Sequence, residues 1–225
     1  MENPWKDLKK TNNEFIAECD KYYIPELNSK LKGKHKLRLE GYPGPYTGDP
    51  INSIIWLLAS NPGHCEGEEK IYRNYEELFI RNLFHTNTQW PFFTFCPELR
   101  NTPGGVWWTQ KLKNFINETG FETVSKYVFN AEYFPYHSEE YKSINLILPS
   151  QKYTFFLVNN AIKTGKNIIL MRSENEWYNA VPELRNYKNK TVLFNIRRSW
   201  ISPGNMETKF WNKIIMELKR KNNGT

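Results

Sequence analysis

One segment constrains this chain more than any other. Ile54-Ile55-Trp56-Leu57-Leu58-Ala59 is continuously apolar and rich in β-forming side chains, and it stops abruptly at Ser60-Asn61-Pro62-Gly63. A short run with no polar face is the pattern of a strand buried on both sides, as in a parallel sheet covered by helices. It is the longest apolar run and falls far short of the ~20 residues a membrane-spanning helix needs.

The rest of the chain supplies the partners such a strand requires. Tyr127 to Phe134, Asn167 to Met171 and Thr191 to Ile196 read as three more strands. Helices are expected over about Glu68 to Phe84, with Ile71, Tyr75, Leu78, Phe79 and Leu83 on one face, and over Val106 to Thr119, stopped by Gly120. Ser150 is placed to cap a helix running to Gly165, a short helix lies around Pro182, and Asn205 is placed to cap a last one with Phe210, Ile214 and Leu218 inward. Residues 7–31 also read as helical, with Pro25 as a break, so about 1–40 forms a helical extension. Four strands alternating with helices predict one domain over 1–225: a three-layer α/β/α sandwich around a mainly parallel four-stranded sheet.

Composition narrows the setting. The 225 residues carry 31 Lys and Arg against 24 Asp and Glu, a net charge of +7 that favours an anionic partner, nucleic acid first. Aromatic residues make up 16%, and those in loops suit stacking on bases as well as core packing. Three cysteines with no C-x-x-C pair argue against a disulfide framework or a zinc site. With a charged N-terminal segment and no apolar signal region, the expectation is a cytoplasmic monomer without metal or cofactor.

In sheets of this kind ligands sit at the carboxyl ends of the strands. The first strand delivers Asn61-Pro62-Gly63-His64 there. Asn-Pro-Gly alone is a common turn, but here a buried strand feeds it to the ligand edge. The second strand delivers Asn130-Ala131-Glu132-Tyr133-Phe134-Pro135-Tyr136-His137-Ser138, and the fourth runs into Arg197-Arg198-Ser199-Trp200-Ile201-Ser202-Pro203-Gly204-Asn205. The last set suits phosphates, although an ordinary loop and helix cap would read the same.

Together these motifs resemble the uracil-DNA glycosylase superfamily, over roughly residues 42–218. An apolar first strand running into Asn-Pro-Gly is similar to the motif of its mismatch-specific and single-strand-selective branches. The resemblance implies that Asn61 positions the attacking water and that the Pro135 segment reads a flipped base. It also implies that the loop after the fourth strand grips phosphates and pushes a side chain into the duplex. The candidate set is then Asn61 and His64 for catalysis, with Tyr46, Gly63, Glu132, Tyr133 and His137 around the base. Arg197, Arg198, Ser199, Trp200, Ser202, Gly204 and Asn205 face single- or double-stranded DNA. Tyr46 or Trp107 is available to stack on the base, and Trp200 or Ile201 to fill the vacated space.

The chain departs from that pattern in several places. Most relatives carry His-Pro-Ser after the fourth strand, whereas Ser202-Pro203-Gly204 has no preceding His. His64, His137 and Asn195 are the candidates for gripping the base O2. Three cysteines exclude the four-ligand iron–sulfur branch. Gly63 stands where the strictly uracil-specific branch has a bulky Tyr, which predicts a roomier pocket. Glu132 stands where single-strand-selective relatives carry a base-reading Asn. An ionised carboxylate only accepts, so a Glu132 facing the pocket favours a base presenting a donor, such as an exocyclic amine or a hydroxyl on a bulky substituent. Protonation in a dry pocket, or an outward ion pair, are its other readings. Glu66, Glu68 and Glu69 add charge beside Asn61 or simply favour a helix N-terminus. The leading expectation is excision of a modified or damaged base in repair or defence. A catalytically silent DNA-binding module and an unrelated α/β enzyme acting on nucleotides are the alternatives.

Overall fold

The computed structural model describes residues 1–224, apart from the side chains of Glu69 and Tyr72. The expectation for the Glu69 side chain therefore lies outside the described residues. The centre of the fold is a mixed, mostly parallel sheet of five strands in the order β3-β5-β4-β6-β7, formed by β3 (Tyr46–Thr47), β4 (Ile55–Ala59), β5 (Val128–Glu132), β6 (Asn167–Leu170) and β7 (Lys190–Val192). Strand β4 pairs in parallel with β5 on one side and β6 on the other, and β7 extends the sheet from β6. The four expected strands are all present, although the second ends at Glu132 and the fourth already at Val192, short of the expected Phe134 and Ile196. The fifth, β3, has no counterpart in the expected set: it is antiparallel, two residues long, and lies in a Pro- and Gly-rich stretch with no period to reveal it.

Alternation along the strands divides the core in two. Trp56, Leu58, Phe129, Ala131, Ile168 and Leu170 face one side, where they meet α6 (Gln151–Lys163) and α7 (Glu174–Ala180) through Val158, Ala161 and Trp177. Ile55, Leu57, Val128, Ile169 and Met171 face the other, against α4 (Pro103–Lys111), α5 (Lys113–Tyr127) and α8 (Thr208–Asn223) through Trp108, Phe115, Trp211 and Ile214. Every residue of β4 is buried. Among the described residues no helix is long and apolar enough to cross a membrane.

The N-terminal region differs from the helix expected over residues 7–31. It forms a hairpin of β1 (Lys9–Thr11) and β2 (Glu14–Ile16), followed by α1 (Ile24–Lys30). The turn residues Asn12 and Asn13 have φ of 51° and 64°, the left-handed pair that a tight hairpin requires and Asn tolerates. Pro25 lies in the first turn of α1, where its missing N–H costs nothing, so it starts that helix instead of breaking one.

Other boundaries shift for similar local reasons. The helix expected over 68–84 is two, α2 (Glu68–Asn74) and α3 (Glu76–Leu83), parted at Tyr75. The one expected over 106–119 starts earlier, with Thr102 accepting from Gly105 N at 3.2 Å, and breaks at Leu112. Gly120, at φ 81° and ψ 165°, interrupts α5. Ser150 does not cap α6. Gln151 anchors that end instead, its Oε1 accepting from Leu148 N at 2.7 Å while Nε2 donates to Tyr133 O at 2.7 Å. Asn205 does not cap α8 either, which begins at Thr208 behind Glu207.

The N-terminal segment is tied to the site through one buried carboxylate. Asp20 is fully buried, takes the Tyr136 hydroxyl at 2.8 Å and Ser150 N at 3.0 Å, and Tyr136 Oη in turn accepts from Ala17 N. Asp20→Ala leaves buried donors unmatched and is expected to cost about 1–3 kcal/mol in urea or guanidinium unfolding. A loss below a few tenths would show that this tie carries no stability.

Candidate functional site

The carboxyl ends of β4, β5 and β6 open into a cavity of about 710 Å³. Chain connections leave β4 toward β5 on one side and β6 toward β7 on the other, so this is the point where the sheet order reverses and a crevice forms. The cavity lies on the face shared with α4, which supplies Trp107 and Trp108 to its wall. Phe93, Thr94 and Leu99 from the irregular aromatic stretch complete that side.

Asn61 lines the cavity immediately beyond β4. Its Nδ2 donates to Pro62 O at 3.0 Å and to Ser138 Oγ at 2.9 Å, with Tyr136 O at 3.5 Å. Two of these partners are carbonyls that can only accept, so the amide cannot be reversed. Ser138 Oγ passes its own proton to Glu140 O at 3.1 Å, which locks the arrangement. The acceptor end of Asn61, Oδ1, therefore has no partner among the described residues.

His64, Glu68 and His137 form the flank of the Asn-Pro-Gly turn. Glu68 Oε2 lies 3.6 Å from His64 Nδ1 and 4.0 Å from His137 Nδ1. His137 Nδ1 is 2.5 Å from Gly63 O, so it carries the proton there and clamps the turn. Burial lowers the His137 pKa, with Glu68 opposing, which favours the neutral ring. Among the described residues no three His, Cys, Asp or Glu side chains converge as metal ligands would. Glu66, by contrast with Glu68, points to solvent.

The floor is made by β5. Asn130 and Glu132, two residues apart and so on one face, are both buried and both line the cavity. Asn130 Nδ2 donates to Glu132 Oε1 at 2.8 Å. Asn130 Oδ1 and Glu132 Oε2 have no protein partner among the described residues, and neither do Thr94 Oγ1 and Ser199 Oγ in the walls. Native structures leave few buried polar atoms unmatched, so four on residues that line one cavity point to a ligand with polar edges.

The same alternation sends Tyr133 to the opposite side, where it packs on Phe155 and Trp177. It does not line the cavity, contrary to the expectation from its place beside Glu132. Tyr46 touches the cavity but is fully buried, stacked on His85 and Phe129 with its hydroxyl on Leu83 O at 2.7 Å, so no face remains for a base. Gly63 is exposed at the rim, where an added Cβ would meet nothing within 4 Å. Trp107 is half-exposed at the lip, beneath Lys111 Nζ at 4.9 Å from its ring centroid.

The loop after β7 divides between surface and interior. Arg197, Arg198 and Trp200 are exposed, with Phe194 and Ile196 beside them. Ser199 is buried at φ 44° and reaches the cavity wall. Ile201 is fully buried in the core, so it cannot fill a vacated base position. Asn205 braces the loop from within, its Oδ1 accepting from Asn195 N at 2.6 Å and Nδ2 donating to Trp200 O at 2.8 Å. Ser202 is half-buried and Gly204 exposed at the start of that brace. Asn195 is exposed, takes Arg198 N on its Oδ1 and does not line the cavity, which leaves His64 and His137 of the three candidates for the base O2. Two further anchors carry no sequence signal. Arg172 holds Ile196 O and Arg197 O at 3.3 and 3.1 Å, and the buried Lys111 ammonium donates to Arg198 O. Burial, with Arg172 nearby, lowers Lys111 to about 8.

No family model, curated protein or solved structure matches this chain.

Burial raises Glu132 from 4.5 to about 7, the Asn130 hydrogen bond and the Arg172 charge offsetting only part of it. Because the folded value lies above the unfolded one, folding favours the protonated form. The stabilisation is full below about 4.5 and is lost as pH rises through about 7. Relative to Glu132→Gln, the wild type should lose about 3 kcal/mol across that window, read from denaturation at each pH. A pH-independent difference would place this carboxyl in contact with solvent.

Proposed function

We propose that this protein is a DNA glycosylase: it turns a nucleotide out of the helix, takes the base into the cavity and hydrolyses the N-glycosidic bond. The observation that carries the reading is Asn61, held by its amide nitrogen at the edge of the cavity with its carbonyl oxygen uncommitted. The resemblance to the uracil-DNA glycosylase superfamily, with its three-layer α/β/α domain, supports it. So does the agreement between the Asn-Pro-Gly position and the crevice of the sheet.

In this reading a water accepted by Asn61 Oδ1 is aimed at the anomeric carbon. The C1′–N bond breaks with its electron pair going to the base, and the sugar passes through an oxocarbenium-like state that the water captures. Asn61 has no basic group, so its role is placement; once the new C1′–O bond has formed, the water gives up its proton and the departing base anion takes one up, so the products are the abasic sugar and the neutral base. Glu68, 3.6 Å from His64, adds negative charge beside that cation. The loop with Arg197, Arg198 and Trp200 favours a polymer over a free nucleotide: two cations for phosphates and an exposed aromatic to occupy the space the base leaves. Unstacking costs about a few kcal/mol, which damaged or mispaired bases reduce.

The test is alkali cleavage of abasic sites after incubation with oligonucleotides carrying different bases. Asn61→Ala is expected to lower base release about a hundredfold or more, with DNA affinity and thermal unfolding nearly unchanged. Equal release by the variant would remove Asn61 from the mechanism, and no release of any base by the wild type would reject the glycosylase reading.

A further inference from the structure

We propose that Asn130 and Glu132 form a two-acceptor floor that selects a base by its exocyclic amine and discriminates against oxo bases. The reading of the cavity as a base pocket is the premise.

The geometry leaves little choice of polarity. With Glu132 ionised, Asn130 Nδ2 is the only donor group of the pair, and it donates to Glu132 Oε1 at 2.8 Å. That contact fixes the amide so that Oδ1 is presented elsewhere. Oδ1 and Glu132 Oε2 are then two acceptors, side by side on one face of β5, both buried and both without a protein donor among the described residues. The Arg172 charge acts on Glu132, but its Nε and Nη2 are turned to Ile196 O and Arg197 O. The remaining orphans, Thr94 Oγ1 and Ser199 Oγ, are hydroxyls that donate or accept as required and so do not discriminate. Trp108 and Met171 add apolar surface.

An amine brings two N–H groups, one for each acceptor. A carbonyl in the same place sets its lone pairs against both, in surroundings where an unmatched acceptor is costly. A site built to hydrogen-bond one group rejects the analogue lacking it far more strongly than a shape-matched apolar pocket does. Cytosine and uracil, or adenine and hypoxanthine, match in size and exchange the amine for a carbonyl, with the adjacent ring nitrogen passing from acceptor to N–H; the oxo member can offer the floor one donor where the amino member offers two. The open space at Gly63 leaves room for a substituent on the base without altering the floor.

The experiment compares these pairs at pH 8, where Glu132 is ionised. Release is measured from oligonucleotides, and free deoxynucleoside binding is followed by tryptophan fluorescence, Trp107 standing at the cavity lip. The wild type is expected to favour the amino member of each pair by at least about tenfold, and Glu132→Gln, nearly isosteric, to erase or reverse that ratio. A wild-type ratio near one, or a ratio unchanged in Glu132→Gln, overturns the inference. Uracil released as fast as cytosine would do so while leaving base excision standing. An amino preference in nucleoside binding with no release from any oligonucleotide would reject excision and leave the two-acceptor floor in place. Neither release nor binding would reject both.

Discussion

Strand β4 is hydrogen-bonded on both edges and covered on both faces, so none of Ile55–Ala59 can turn without exposing apolar surface or unpairing backbone. The first freedom the chain regains is at Ser60, and the residues around that exit are held at once. Trp177 Nε1 donates to Ala59 O at 2.8 Å, Tyr133 N and Phe134 N bond Ala59 O and Ser60 O, and Ser138 receives the Asn61 amide. Asn61 is thereby positioned by a rigid element, two backbone acceptors and the Ser138 hydroxyl.

The same burial governs the chemistry of the floor. A strand with no exposed face must put whatever polar residues it carries into a dry environment, and β5 carries Asn130 and Glu132. They match one another in part, and that partial match leaves two buried acceptors without a protein donor among the described residues, on side chains that line the cavity. Desolvation then raises Glu132 toward neutral pH. Natural folds tolerate such a cost where a ligand relieves it. Around this floor stand the aromatic lip at Trp107 and the exposed basic loop after β7.

Strand β4 and its Asn-Pro-Gly exit were legible because a continuous apolar run has few structural solutions. Their place at the ligand edge followed from the alternation of strands and helices. The N-terminal hairpin was not legible: Phe15, Ile16, Tyr23 and Leu27 mimic a helical face, and the turn chemistry of Asn12-Asn13 prevails only once the hairpin packs. Tyr46 touches the cavity, but core packing on His85 and Phe129 takes its ring, whereas Tyr133 was misplaced because proximity in sequence to a site residue says nothing about side. Parity does: Glu132 in the cavity implies Asn130 beside it and Tyr133 opposite, a deduction open to the sequence once β5 was drawn. Arg172 and Lys111 had no signal, because each acts on a carbonyl that only the folded loop from Ile196 to Arg198 presents.

The central claim, that the cavity at the ends of β4, β5 and β6 receives a base from DNA, is tested most directly by a crystal structure of Asn61→Ala bound to an oligonucleotide. The expected result is one nucleotide rotated out of the stack, its base edge within hydrogen-bonding distance of Asn130 and Glu132, and Arg197 or Arg198 on a flanking phosphate. A complex in which every base stays stacked and the strand runs across another face of the protein would contradict it.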